Sequence, residues 1–296
     1  MSRTSALLWL ALVLGSFSEP ARCETPLAGP VEQVRKHLNN RQIDEAIDAG
    51  EQAVEALQQD SYAWFWLARA YAQQAIKASL LGKPRWAGKA REAYEKSVEL
   101  DPNNFQARFD LTQYYLAAPG FLGGSREKAG EQVSAIEKGD PVLGKLGQAE
   151  LARHDEQPAQ VEKHLRDALK LDAKNVRARV WLAMHLQVGE RWAEIRALWD
   201  EVLASNPDDE LAHYQLGRLS SISGEALEAG LTHFATYLAK PKESDSMTIA
   251  GAHWRRGLIL EKLGRRDEAI AAIEESLRLN PDFEQAQTDL DRLRDA

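Results

Sequence analysis

Residues 89–102, Lys-Ala-Arg-Glu-Ala-Tyr-Glu-Lys-Ser-Val-Glu-Leu-Asp-Pro, decide how the rest of the chain is read. Ala90, Tyr94 and Ser97 stand at i, i+4 and i+7, which puts them on one face of a helix, and Asp101-Pro102 closes it. The pattern recurs. Ala129/Val133/Ile136 precedes Asp140-Pro141, Val161/Leu165/Ala168 precedes Leu171-Asp172-Ala173, Ile195/Trp199/Val202 precedes Asn206-Pro207-Asp208, and Ala269/Ile273/Ser276 precedes Leu279-Asn280-Pro281-Asp282. Ala173 and Pro207 are 34 residues apart. Upstream of each stripe lies a second helical pattern, as in Trp64/Leu67/Ala68/Tyr71, Leu111/Thr112/Tyr115, Leu182/Ala183/Leu186 and Leu216/Gly217. Two helices per unit, with small residues where they cross, make a helical hairpin. One hairpin cannot bury its apolar stripe alone, so neighbours stack and the core grows along the array. The predicted fold class is all-α, with no alternating β-rich segment to compete.

The stretches Trp64-x-x-Leu67-Ala68-x-x-Tyr71, Lys89-Ala90-x-x-Ala93-Tyr94-x-x-Ser97-x-x-Leu100-Asp101-Pro102 and Asp267-Glu268-Ala269-Ile270-x-x-Ile273-Glu274-x-Ser276-Leu277-x-Leu279-Asn280-Pro281 resemble the tetratricopeptide repeat (TPR). That resemblance implies a right-handed α-α superhelix, a TPR solenoid whose first helices line a concave, peptide-binding groove. It divides the chain into about seven hairpins, 27–60, 61–104, 105–141, 142–175, 176–209, 210–247 and 250–283, followed by a capping helix over 284–296. The charged outer face of that cap (Glu284, Asp291, Arg292, Arg294) suits a terminal repeat.

The composition of the 296 residues, 44% hydrophobic and 28% charged, is that of a folded chain. A net charge of -8 argues against tracking nucleic acid or an anionic surface by bulk electrostatics. Residues 1–23 read as a signal peptide: Arg3, an apolar run from Ala6 to Phe17, then small residues before cleavage after Ser18 or Cys23. Twelve apolar residues are too few to span a bilayer comfortably. Arg22 and Pro20 stand where lipidation would need a small and an aliphatic residue. Cys23 is the only cysteine, so no intramolecular disulfide is possible; cleavage after Cys23, the preferred point, leaves a mature chain without thiols, which suits an exported, periplasmic or secreted protein.

Two hairpins depart from the repeat. The second carries extra residues within 73–89, where Ala72, Ala75, Ile76, Ser79 and Leu80 keep helical spacing; the first helix is predicted to run on to Gly82 and Pro84, with Trp86 packed on its stem. The third has the insertion Ala118-Pro119-Gly120-Phe121-Leu122-Gly123-Gly124-Ser125, similar to one in secreted bacterial repeat proteins. Ser125 is placed to cap the next helix, and Phe121 and Leu122 are expected to tuck onto the core. The alternative for Gly120, Phe121 and Leu122 is a partner-contacting loop.

Catalytic patterns are thin. Ser125-Arg126-Glu127-Lys128 matches Ser-x-x-Lys but lacks its companion motifs. His37, His154, His164, His185, His213, His233 and His253 form no ligand spacing, and the chain calls for no cofactor and no metal. The surface of the first helices remains. Tyr62, Phe65, Arg69 and Gln73 share one helix face, and the aligned positions are Phe109 and Gln113, then Leu146, Glu150 and Arg153, then Arg177, Val180 and Met184, then Tyr214 and Arg218, then Trp254. Rings with arginines and amides suit a recognition surface for an unidentified protein partner. The expectation is a non-catalytic scaffold of the cell envelope; the alternative is a small-molecule binder with a hollow between Phe65, Trp86, Phe109 and Tyr115. Reversing Arg69 and Arg218 to glutamate is expected to weaken capture and leave thermal unfolding unchanged.

Overall fold

The computed structural model describes residues 29–239 and 246–295; the expected leader at 1–23 lies outside them. Among the described residues the chain forms fifteen α-helices and one short 3-10 turn, with no strand. It divides into two compact units, Met1–Leu182 and Ala183–Ala296. In the first, α1 (Gly29–Asn39) pairs with α2 (Ile43–Ala56), α3 (Ser61–Lys77) with α4 (Lys83–Leu100), α5 (Phe105–Ala117) with α6 (Arg126–Gly139), and α7 (Pro141–His154) with α8 (Pro158–Leu171). α9 (Val176–Val188) contains the division between the units. The second unit continues with α10 (Trp192–Ser205), α11 (Glu210–Ser223) and α12 (Leu227–Ala239), then α13 (Ser246–Lys262), α14 (Arg266–Leu279) and α15 (Glu284–Asp295).

The recurring turns start helices as well as stopping them. The side chains of Asp60, Asn104, Asp140, Asn175 and Asp209 accept hydrogen bonds from the backbone N–H groups of Ala63, Ala107, Leu143, Ala178 and Ala212, capping the first helix of a hairpin each time. Each cap satisfies a donor that the helix leaves without a partner, worth about 1 kcal/mol. Asn104 does more. Buried at the α4–α5 junction, its Nδ2 donates to Ser61 Oγ at 2.9 Å, while Ser61 Oγ donates to the Ser97 carbonyl and Ser97 Oγ to the Ser61 carbonyl. Ser97, the small residue of the opening stripe, thus lets α3 and α4 meet and bonds them together.

The turns inside the hairpins work differently. Arg41, Glu156, Glu190 and Gly264 adopt positive φ (60°, 56°, 53° and 73°), a left-handed residue that reverses the chain within a few positions. Only the last is glycine. The second and third hairpins replace this tight turn with longer loops. α3 ends at Lys77, five residues before Gly82, because the chain turns at Ser79, whose carbonyl accepts from Gly82 and Lys83 N–H. Pro84 then opens α4, where a missing N–H costs nothing, instead of stopping α3. Trp86 packs on the Tyr71 ring, centroids 5.7 Å apart.

The insertion also departs from expectation. Leu122 is half-buried but Phe121 is 83% exposed, so it does not tuck onto the core. The loop is held by its backbone: the Leu122 carbonyl accepts from Tyr114 Oη at 2.8 Å and Arg91 Nη1 at 3.2 Å. Gly124 allows the closure, since a Cβ there would stand 1.7 Å from the Ala118 carbonyl oxygen. Ser125 Oγ accepts from Lys128 N–H at 3.2 Å and caps α6.

Two boundaries shift from the repeat count. Pro141 opens α7 instead of closing the third hairpin, and α13 begins at Ser246, before 250, with no Gly or Pro to delay it. The apolar stripes are core: Ala90, Tyr94, Ala129, Val133, Ile136, Leu165, Ala168, Trp199, Ala269 and Ile273 are all buried. At the end of the second unit, Ala286, Leu290 and Leu293 of α15 cover Leu260 and Ile273, and its charged residues other than half-buried Asp289 face outward.

Candidate functional site

The predicted face of α3 is split by packing. Tyr62 is 42% exposed, Gln73 and Arg69 are half-buried, but Phe65 is buried against Trp66 (5.4 Å) and Tyr94 (6.3 Å). A helix face only four residues wide at the centre of a stack must give its middle ring to the core. Phe109, Gln113, Leu146, Glu150 and Val180 are likewise buried. Arg153, Arg177, Met184, Tyr214, Arg218 and Trp254 are half-buried and stay at the surface.

The arginines are engaged. Arg69 Nε donates to the buried Asp110 carboxylate at 2.8 Å, with its guanidinium over the Phe65 ring at 4.5 Å and the Trp66 ring at 5.0 Å. Arg153 pairs with buried Glu150. Arg218 donates to Gln187 Oε1 at 3.0 Å; burial first, then the nearby Arg255, lowers its pKa. Arg69 and Arg218 are therefore structural ties, which overturns their use as freely reversible capture residues. Arg177 lies over the Phe109 ring at 5.3 Å, and that ring packs on Trp181 at 6.0 Å. In the second unit Arg255, missed by the sequence reading, lies over Trp254 at 4.9 Å. Trp254 Nε1 donates to Asp289 at 2.8 Å, and its ring meets Phe283 at 5.1 Å. The signal for Arg255 was its position next to Trp254, which a search for i+4 partners passes over. Tyr214 packs on Tyr237 (5.2 Å) and Phe234 (6.2 Å). Guanidiniums laid on ring faces are ordered in advance, so contacts made through them cost less side-chain entropy.

The four aromatics named for a hollow are committed elsewhere. Phe65 and Tyr115 are core residues, Trp86 packs on Tyr71, and Phe109 on Trp181. Among the described residues no group of three or more His, Cys, Asp or Glu is placed to hold a metal, and no helix is long and apolar enough to cross a membrane.

Two histidines that the sequence leaves scattered come together. His213 Nε2 lies 3.0 Å from the Pro207 carbonyl, which can only accept, so Nε2 carries the proton and Nδ1 accepts from His233 Nδ1, 2.9 Å away. Burial first, then His213, holds the His233 imidazole below its ordinary 6.5, with Asp200 opposing and Arg196 adding to the shift. Unfolded, this imidazole takes up a proton more readily, so its contribution is present above about pH 6.5 and is lost as pH falls through the lower folded value. His164 and His253, also lowered by burial, act with the same sign. The chain should melt earlier at about pH 5 than at about pH 7.5, and His233→Gln should shrink that difference. An undiminished difference in the variant would remove His233 from the account.

This is a helical-hairpin repeat protein by its architecture. Models of the tetratricopeptide repeat match residues 31–78, 75–104 and 250–283, so the repeats of the chain are tetratricopeptide repeats over those stretches. No curated protein matches the chain. Among solved structures, a tetratricopeptide repeat protein from Parabacteroides merdae is similar at a TM-score of 0.53 and 14% identity, covering 90% of this chain and 97% of that one. Yeast Tom70 is similar at 0.63 and 14% identity, covering 98% of this chain and 61% of that one. A chain of the APC/C hetero-tetramer Cut9–Hcn1 is similar at 0.51 and 16% identity, covering 89% of this chain and 55% of that chain. At these identities the likeness is one of fold.

Proposed function

We propose that the protein is a non-catalytic scaffold of the cell envelope, holding a segment of a partner polypeptide on the faces that the first helices of its hairpins present. The observation that carries this reading is the set of rings and guanidiniums that the first helices keep at the surface, Tyr62 and Arg177 in the first unit, Tyr214 and Trp254 with Arg255 over its ring in the second. Rings give contact area and fixed guanidiniums give orientation, the combination that dominates protein recognition energetics. Repeats of this kind suggest protein partners, and the similar chain in the Cut9–Hcn1 assembly is one found with a protein partner.

The test avoids the two structural arginines. Arg177→Glu with Arg255→Glu, in protein isolated gently from its host, should leave the melting temperature within a few degrees of wild type, since a cation–ring contact near the surface is worth about 0.5–1 kcal/mol. The same pair should abolish a protein-sized adduct seen by native mass spectrometry. An adduct that survives both substitutions would defeat the assignment of these faces. One of a few hundred daltons, on the order of a pocket-sized ligand, would favour small-molecule binding instead. Envelope location rests on Arg3, the apolar run Ala6 to Phe17 and the small residues after it. The mass of the isolated chain checks it, because cleavage after Ser18 or Cys23 leaves a defined deficit.

A further inference from the structure

Leu80, Leu81 and Phe121 are the most exposed large hydrophobic side chains among the described residues, at 85%, 95% and 83%. They occupy the two loops that replace the tight left-handed turn. Both loops join the first to the second helix of a hairpin, so in neighbouring hairpins they leave the stack at the same edge. A hydrogen bond ties the second loop to the helix that the first loop opens: Arg91 of α4 donates to the Leu122 carbonyl, and α4 starts at Lys83, beside Leu81. Eight helical residues separate Lys83 from Arg91, about 12 Å along the axis. The loops of the flanking hairpins on this edge, Asn40-Arg41-Gln42 and Asp155-Glu156-Gln157, are polar.

Charge singles out the same place. From Ser61 to Arg91 the chain has no Asp or Glu and six Lys or Arg, in a protein of net charge -8. Lys77, Lys83 and Arg85 are exposed around Leu80-Leu81, and exposed Lys128 follows the Phe121 loop. Lys89 bonds Glu51, Arg91 lies near Glu92 and Glu95, and Arg126 holds Asp155; Glu127 is the exposed acid closest in sequence to the Phe121 loop. Trp86, half-buried, has Arg85 and Lys89 over its ring.

We propose that this edge docks on an anionic lipid bilayer. Leu80, Leu81 and Phe121 enter the boundary between headgroups and acyl chains, and Lys77, Lys83 and Arg85 meet the anionic headgroups. Protruding aliphatic and aromatic tips ringed by lysine and arginine match the chemistry of an interfacial anchor. A polypeptide partner would be served better by an apolar surface than by separate tips on two loops. Outside residues 61–91 the chain is net acidic, so an anionic surface favours this edge as the docking face.

The test uses the full chain with site-specific probes, so that the apolar run at 6–17 does not decide the result. In a Cys23→Ser background, an environment-sensitive fluorophore is attached at Leu81→Cys, at Phe121→Cys, or at Asn103→Cys on an opposite turn. Vesicles of phosphatidylglycerol diluted in phosphatidylcholine should shift emission to the blue at positions 81 and 121 but not 103, and brominated lipid should quench only those two. Pure phosphatidylcholine should produce at least tenfold weaker binding through this edge, as should Lys77→Glu with Lys83→Glu and Arg85→Glu, and added salt should weaken it progressively. Equal signals at 81, 121 and 103, or equal binding to both vesicle types, would overturn the proposal. So would a blue shift seen with an envelope protein extract but not with vesicles, which would make the occupant a polypeptide.

Discussion

Arg69→Glu should lower stability by about 3 kcal/mol, a fall in melting temperature on the order of 10 °C for a unit of this size. The reason is the company Arg69 keeps. Its Nε donates to Asp110 Oδ2 at 2.8 Å, and Tyr94 Oη donates to the same oxygen at 3.3 Å. Asp110 is 6% exposed while Arg69 keeps 22% of its surface, so the pair is only partly screened and the loss falls at the lower end of the range for a broken buried pair. Burial, then the Asp110 carboxylate, holds the Tyr94 phenol well above its ordinary value; it remains a neutral donor and cannot replace the lost charge. Glutamate would add a second carboxylate and remove the guanidinium from the Phe65 and Trp66 rings. Replacing both partners, Arg69→Leu with Asp110→Leu, should recover most of the loss, because no charge is left buried without its counter-ion. A variant Arg69→Glu that melts within a couple of degrees of wild type would show that Asp110 finds solvent or another donor.

That pair also shows where the sequence stops being legible. Arg69 and Asp110 are 41 residues apart on different hairpins, and local spacing identifies Arg69 as a surface arginine without saying which acid lies opposite. The pairing of His213 with His233 is hidden for the same reason: each is ordinary on its own helix, and only the crossing of α11 and α12 joins them. Helix stripes, by contrast, are written in one turn of chain. Ala129, Val133 and Ile136 follow the i, i+4, i+7 rule and are wholly buried, and the acids and asparagines after four of the five stripes are where the caps are. Phe65 and Phe109 are legible only in part. Periodicity puts them on the right face, but whether a ring at that position fills the stack or faces a partner depends on the neighbouring hairpin, on Tyr94 in one case and Trp181 in the other. The tight turns mislead in the opposite direction: positive φ usually calls for glycine, yet Arg41, Glu156 and Glu190 occupy it, so composition alone does not mark them.

Gly217→Val should destabilise the second unit by about 3 kcal/mol, the upper range for overpacking a close crossing. A Cβ built on Gly217 stands 2.9 Å from three carbons of the Phe234 ring, well inside the ~3.5–4.0 Å at which carbon atoms attract. The ring has little room to withdraw. It is wholly buried among Tyr237, Ala252 and Ile259, with Tyr214 edge-on to it. Glycine inside a helix costs roughly 1 kcal/mol relative to alanine, so its presence in α11 is repaid by letting α12 approach. Gly217→Ala should therefore lose less than valine, since gained helix propensity offsets part of the clash. The decisive comparison is Gly217→Ala with Phe234→Leu: a smaller side chain opposite makes room for the methyl, and the double variant should lose less than the sum of the singles. Additive losses in thermal melts would mean that the ring is not what excludes a side chain at 217. The same geometry at Gly50 over Leu67, Gly147 over Val133 and Gly257 over Ile273, with Cβ approaches of 2.8, 2.8 and 2.5 Å, makes the argument general to the array. Within each unit, helices that cross this closely have little freedom to splay, because separating them would open voids in a close-packed core.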